Sequence, residues 1–188
     1  MSFGGFPQGI ARAPRATAPP NPFGGIIVFR KGKCREMIAL ACDHSGVALK
    51  QELMKMLDEM GLEWKDYGNY DPDNRDDDYP VYGYKAAKAV AEGECDRGIL
   101  ICGTGIGIGI TAGKVKGIRV CTCSDVYSAE LSKRHNNSNI LTMGARVVGT
   151  EVAKMIAKSW LTAEFQGGRH QRRVEMIERI ENGEAPEA

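Results

Sequence analysis

The segment Cys102-Gly-Thr-Gly-Ile-Gly107 places a thiol at the end of an apolar run, Arg97-Gly-Ile-Leu-Ile-Cys102, with a row of glycine-exposed amides directly behind it. Backbone N–H groups in such a turn hold anions. The same field lowers a thiol's pKa from its usual value of about 8.5, making a thiolate available as base or nucleophile. A thiolate beside anion-holding amides suits proton abstraction next to a carbonyl, where the developing enediolate oxygen needs donors. A small core cysteine followed by a tight turn explains the same residues without chemistry. Gly107-Ile-Gly-Ile-Thr-Ala112 also fits a relaxed G-x-G-x-x-A dinucleotide pattern, with Asp125 following the next strand. That pattern begins well past the strand end, and Cys102 to Gly105 already occupy the tight turn. A Walker A loop is excluded, because Ile108 stands where its first glycine belongs and Val115 replaces its Ser/Thr.

The chain has three histidines: His44, His135 and His170. His44 follows Asp43 at a strand end, His135 lies in Arg134-His-Asn-Asn-Ser-Asn139, and His170 lies in Arg169-His-Gln-Arg-Arg173. Polar surroundings make each a solvated surface histidine by default, while their positions at element ends and among arginines suit acid–base work or anion binding. Arg169 and Arg173 share a helix face at i and i+4 and can grip a phosphate. The six cysteines, at 34, 42, 95, 102, 121 and 123, form no C-x-x-C pair and have no histidine at zinc spacing, so no metal site is expected. Cys121 and Cys123 alternate along a strand and present two small side chains on one face.

These groups need a scaffold, and the patterning supplies one. Apolar runs at 38–42, 97–102, 118–123 and 140–143, with a weaker one at 63–67, read as strands; helical segments follow at 49–60, 80–92, after Gly107, 125–134 and 150–161. Five βα units predict an α/β fold with a parallel sheet covered on both faces. A charged segment, 169–181, with Val174, Ile177 and Ile180 spaced by three, predicts an additional C-terminal helix suited to packing on a partner subunit. In an open parallel sheet, ligands bind beyond the carboxyl ends of the strands. That rule points to Asp43-His44 and to Cys102 through Gly107.

The 188 residues carry a net charge of +1, which gives no electrostatic case for nucleic acid or an anionic membrane. No apolar run approaches the roughly 20 residues of a membrane span. Residues 1–36 differ from the rest: ten of the first 25 are Gly or Pro, and the segment carries +5, leaving −4 for the remainder. They are expected to be a disordered basic extension ahead of a single domain at 37–188. Unpaired cysteines fit a reducing, cytoplasmic setting.

Six ordered segments carry a resemblance: Ala41-Cys-Asp-His-Ser-Gly46, Asp78-Tyr-Pro80, Ile101 through Gly107, Arg134 through Asn139, Gly144-Ala-Arg-Val-Val-Gly149 and Gly167 through Arg173. Together they resemble ribose-5-phosphate isomerase type B, within a family that includes galactose-6-phosphate isomerase subunits. The resemblance covers residue 37 to about 181. It implies a Rossmann-like three-layer α/β/α homodimer with a shared active site, or a tetramer built from it. Such an enzyme interconverts ribose 5-phosphate and ribulose 5-phosphate without metal or organic cofactor.

By that resemblance, Cys102 moves a proton between C1 and C2 through a cis-enediolate. Gly103, Gly105, Ile106 and Gly107 supply N–H groups to it, and Thr104 assists through its hydroxyl. His135 opens the furanose ring, Asp43 and Asn136 bond the sugar, and Tyr79 lines the site. His44, Arg146, Arg169 and Arg173 contact the substrate, the arginines chiefly at its phosphate. Because the cleft is shared, His135 and Cys102 are expected from different chains.

Departures from the pattern bear on specificity. Glycine stands at 109 and 113, where many relatives have Ser and Asn, which removes a hydroxyl and an amide and weakens the helix. The acidic loop 71–78 has no assigned role. Three rivals to a five-carbon substrate stand: a six-carbon sugar phosphate such as allose or galactose 6-phosphate, a non-catalytic binding domain for a sugar phosphate or nucleotide, and a nicotinamide-dependent oxidoreductase.

Overall fold

A computed structural model describes residues 36–74 and 76–185. The reading of the N-terminal extension lies outside the described residues apart from Glu36, whose carboxylate is clamped by Arg97 through both Nε and Nη2. Arg97 is buried at the first position of its strand. It also donates from Nη1 to the Leu161 carbonyl at 3.0 Å and stacks over Trp160.

The elements are β1 (Met37–Cys42), a single 3-10 turn (His44–Gly46), α1 (Val47–Glu59), β2 (Glu63–Asp66), α2 (Tyr79–Ala91), β3 (Arg97–Cys102), α3 (Ile106–Ala112), β4 (Val120–Thr122), α4 (Val126–Asn136), β5 (Ile140–Gly144), α5 (Thr150–Thr162) and α6 (Arg169–Glu181). Four of the five strands consist of Ile, Leu, Val, Ala, Cys and Met for most of their length, as strands buried on both faces require. All are parallel, in the order β2-β1-β3-β5-β4. This is the expected three-layer α/β/α arrangement.

The pleat sends alternate side chains of β1 and β3 to opposite layers. Ile38, Leu40, Ile99 and Ile101 meet α1 and α5 in one core, around fully buried Trp160. Ala39, Ala41, Leu100 and Cys102 meet α2 and α3 in the other. Small residues on the second face let α2 and α3 sit close. Gly109 is part of that closeness: a Cβ there would lie 2.9 Å from the hydroxyls of both Thr122 and Thr142, which hydrogen-bond each other at 2.8 Å. Glycine at 109 therefore seats α3 on the sheet, beyond the cost in helix propensity expected from sequence.

Most boundaries fall within two residues of expectation, and two elements are instructive where they differ. β4 is three residues rather than six, because Ile118 N–H turns back to the Val115 carbonyl and Arg119 N–H goes to the Asn139 side chain. α4 runs on through His135 to Asn136 and stops where Asn137 takes the left-handed conformation, φ 49°. α6 lies against α4 of its own chain, held by Val174, by Arg119 on Glu178 at 3.1 Å and by Gly117 N–H on Glu181 at 2.9 Å. Ile177 and Ile180 remain exposed. Among the described residues no helix is long and apolar enough to cross a membrane.

Candidate active site

The chain leaves β1 toward α1 on one face and β3 toward α3 on the other, so the two adjacent strands splay their following loops apart. Such a switch point forms a crevice at the carboxyl rim of the sheet. Asp43, His44 and Ser45 line it from β1, and Cys102 to Gly105 from β3. Cys102 is 4% exposed and accepts a hydrogen bond from Gly105 N–H at 3.1 Å. The turn is tight because Gly105 has φ +78°, and a Cβ there would meet the Met143 carbonyl carbon at 2.6 Å.

The β5 loop closes the rim on the other side. Ala145 and Arg146 N–H groups bond the carbonyls of Cys102 and Gly103 at 2.9 and 3.1 Å. This carries the Arg146 guanidinium over Gly103, where a Cβ would lie 3.6 Å from it and 3.7 Å from Ser45 Oγ. Asp43 accepts from both the N–H (3.0 Å) and the hydroxyl (2.5 Å) of Ser45, capping the 3-10 turn. Thr104 is exposed, and its hydroxyl accepts from Ile106 N–H at 3.3 Å. Tyr79, at the start of α2, lays its ring against Gly107, where a Cβ would be 2.6 Å from it. Ile106 points outward and is exposed.

The acidic loop has a structural role that sequence did not reveal. Asp77 accepts from His44 N–H at 2.7 Å, His44 Nδ1–H at 2.5 Å and Asn69 Nδ2 at 2.6 Å. Burial alone would raise its pKa, but these bonds from Asn69 and His44 outweigh burial and hold the carboxyl below its ordinary range. With Nδ1 committed, His44 offers Nε2 to a ligand. Behind this stands Lys50, 1% exposed, donating to Asp66 and to the Asn69 carbonyl, each at 2.8 Å. Removing one member of such a buried pair costs about 3–5 kcal/mol.

The remaining candidates gather elsewhere. Ile140, just after the α4–β5 turn, pairs with Gly98 near the start of β3, whereas Cys102 pairs with Gly144 at its end. Four residues of strand, about 13 Å, separate the two edges of the sheet. His135 and Asn136, in the last turn of α4, therefore lie at the amino edge, with Arg169, His170 and Arg173 beside them on α6. The His135 and His170 rings stack at 4.1 Å and 5°. His170 is buried, and Arg169 Nε donates to its Nε2 at 3.4 Å, which keeps that nitrogen unprotonated. Burial, then the charges of His135, Arg169 and Arg173, hold its pKa down. Arg169, Arg173 and Asn136 are exposed.

Cys102, Thr104, Asp43, His44, Tyr79 and Arg146 thus share one rim, and His135, Asn136, Arg169 and Arg173 share the opposite edge. Asp77, Asn69, Ser45 and Lys50 were missed: the Lys50–Asn69 and His44–Asp77 bonds span 19 and 33 residues and leave no mark in local spacing, while Ser45 bonds Asp43 only two residues away. The arginine-rich motif around His170 marks it in the sequence, and the fold stacks its ring on that of His135. A groove of about 460 Å³ lined by Glu130, Arg134, Thr162 and Gln166 lies beside the amino-edge cluster and contains neither a thiol nor an imidazole.

Comparison with known proteins identifies the family. A family model described as Ribose/Galactose Isomerase matches residues 38–177. Ribose-5-phosphate isomerase B of Escherichia coli is 54% identical over 144 residues, covering 77% of this chain and 95% of the relative. A D-erythrulose-4-phosphate isomerase of Pectobacterium atrosepticum is 44% identical over 147 residues, covering 78% and 96%. A solved structure of ribose-5-phosphate isomerase B from Clostridium thermocellum superposes with a TM-score of 0.76 at 49% identity, covering 78% of this chain and 98% of that one. With its sheet order and its site segments all inside the matched range, the chain belongs to the ribose/galactose isomerase family.

Proposed function

We propose that this chain interconverts ribose 5-phosphate and ribulose 5-phosphate in the cytoplasm, as a homodimer in which each site combines the carboxyl rim of one subunit with the amino edge of the other. The observation that carries the chemistry is the buried Cys102 sulfur under the Gly105 N–H, 3.1 Å away at the sheet's switch point. Its relatives' names supply the substrate class. Cys102 thiolate takes the proton from C2 of the open-chain aldose, leaving a cis-enediolate, and returns it to C1. The C2 hydroxyl proton passes to O1, so the carbonyl moves from C1 to C2. Thr104 and the amides of Gly103, Ile106 and Gly107 stabilise the oxygens as charge develops. No metal or cofactor is required by this sequence of steps.

The partner's His135 protonates the ring oxygen and accepts the C1 hydroxyl proton, opening the furanose. Asp43, His44 and Asn136 orient hydroxyls, Tyr79 covers the crevice, and Arg146, Arg169 and Arg173 hold the phosphate. A second reading keeps the chemistry and changes the length of the sugar: the 44% identical relative is named for a four-carbon substrate, and the family's description includes galactose. Purified protein in EDTA, assayed with four-, five- and six-carbon aldose phosphates, tests both. Highest kcat/KM on ribose 5-phosphate is expected. Preference for another length would replace the substrate, and no turnover on any would overturn the reading.

A further inference from the structure

Asp77 belongs to an acidic run, yet its side chain is 0% exposed, and the His44 side chain against it is 20% exposed. Three donors converge on its two oxygens. Oδ2 accepts from His44 backbone N–H at 2.7 Å and from Asn69 Nδ2 at 2.6 Å, and Oδ1 faces His44 Nδ1 at 2.5 Å. The orientation of Asn69 is itself fixed. Its Oδ1 accepts from Asp71 N–H at 2.7 Å, which leaves Nδ2 as the atom that meets Asp77. Its backbone is tied to the end of β1 and to α1: the N–H bonds the Cys42 carbonyl at 3.0 Å, and the carbonyl accepts from Lys50 Nζ at 2.8 Å. The donor aimed at Asp77 is therefore held from the interior of the fold, and Asn69 is buried.

We propose that Asp77, with Asn69 behind it, is a positioning residue of the isomerase site: it sets the His44 tautomer, so that Nε2 accepts a hydroxyl proton of the sugar. A carboxylate only accepts, so Nδ1 must carry a proton, and the neutral ring then presents Nε2 as a bare lone pair. The assignment rests on the reading of the crevice given above, in which His44 orients sugar hydroxyls. It gives one member of the acidic run a part in the reaction, exercised through His44 and without contact with the substrate.

The arrangement of donors makes this assignment specific. An amide at position 77 has nearly the shape of the carboxylate but only one accepting oxygen. Two of the three donors, His44 N–H and Asn69 Nδ2, meet at the Oδ2 position, so the amide oxygen of Asp77→Asn belongs there. Its NH2 group then takes the Oδ1 position and donates to His44 Nδ1. A neutral ring whose Nδ1 accepts carries its proton on Nε2, so the group offered to the substrate changes from acceptor to donor. The substitution thus inverts the tautomer with little change in packing. A side chain that only braced the loop would have no such consequence.

The full chain is labelled with isotopic histidine, and long-range proton–nitrogen NMR spectra are recorded at alkaline pH with the rings neutral. Three histidines give three ring systems, and His44→Gln identifies the one that belongs to His44. In wild type, His44 should show a protonated Nδ1 and an unprotonated Nε2, and in Asp77→Asn the reverse. Ribitol 5-phosphate, which cannot isomerise, should bind the variant about tenfold more weakly, the size of one lost hydrogen bond. KM for ribose 5-phosphate should rise by a similar factor, with kcat changed less. A wild-type His44 protonated on Nε2 overturns the proposal without any variant. So does an unchanged tautomer in Asp77→Asn, or an inverted tautomer with unchanged affinity. The tautomer is read on the free protein, so failure of the isomerase assay and failure of this assignment are separate results.

Discussion

The carboxyl rim and the amino edge of the sheet are built in different ways. At the rim, Cys102, Gly105 and Arg146 are fixed by backbone bonds between adjacent strand ends, and His44 is fixed by a buried carboxylate that Asn69 also holds. At the edge, His135, Arg169 and Arg173 sit on helix ends, three of them half-buried or exposed, with a stacked His135–His170 pair at the centre. A base that must meet a C–H bond needs a rigid, dry mount. Groups that receive a flexible phosphate and a ring oxygen work from a more accessible surface. On the proposed mechanism neither region is chemically complete alone, and about 13 Å of strand separates them within one chain. Two copies of the chain resolve this, provided that the edge of one meets the rim of the other.

The contrast can be broken one side at a time. The largest effect is expected from Cys102→Ser at the rim. Loss of the base should lower kcat by about 10³-fold or more while phosphate binding persists, checked by proton exchange at C2 and by titration with a non-isomerisable sugar phosphate. Unchanged exchange would remove Cys102 as the base. His135→Asn at the edge should reduce turnover of cyclic ribose 5-phosphate by about 10²-fold. An acyclic substrate should suffer much less, and equal losses on both would contradict ring opening.

Stability sharpens the same comparison. Gly105→Ala forces a side chain into φ +78° against the Met143 carbonyl carbon and should cost about 1–3 kcal/mol, measured by urea unfolding. A neutral result would mean the rim is less tightly built than its contacts indicate. The smallest effect is expected from Asp77→Asn. Because the folded pKa of Asp77 is lowered, its contribution is present above the ordinary carboxylate range and disappears as pH falls through the lowered value. Urea midpoints of wild type should therefore decline through that acid window more steeply than those of the variant. Parallel declines would remove Asp77 as the anchor of His44.

Much of this was legible in the sequence, and the reasons differ by region. β3 and α6 end where they were expected, because an unbroken apolar run and a Gly-Gly start leave little freedom. The crevice was legible too, since parallel-sheet topology directs ligands to strand ends. β4 was overestimated because Ile118 closes a local turn onto the Val115 carbonyl and the Asn139 side chain that captures Arg119 N–H lies 20 residues away in the chain. Asp77 was invisible as an anchor inside an acidic run, and the His135–His170 stack joins residues of two helices that only the fold brings together. Local spacing shows which groups exist, and tertiary contact decides which of them are held still.

The most direct test of the two-ended account is subunit mixing. Cys102→Ser and His135→Asn proteins, each nearly inactive, are co-refolded in equal amounts and assayed on ribose 5-phosphate. If each site takes its rim from one subunit and its edge from the other, every mixed dimer regains one intact site, and activity should return to about a quarter of wild type. If the mixture remains as inactive as its two components, the site is not shared between subunits, and the account is wrong.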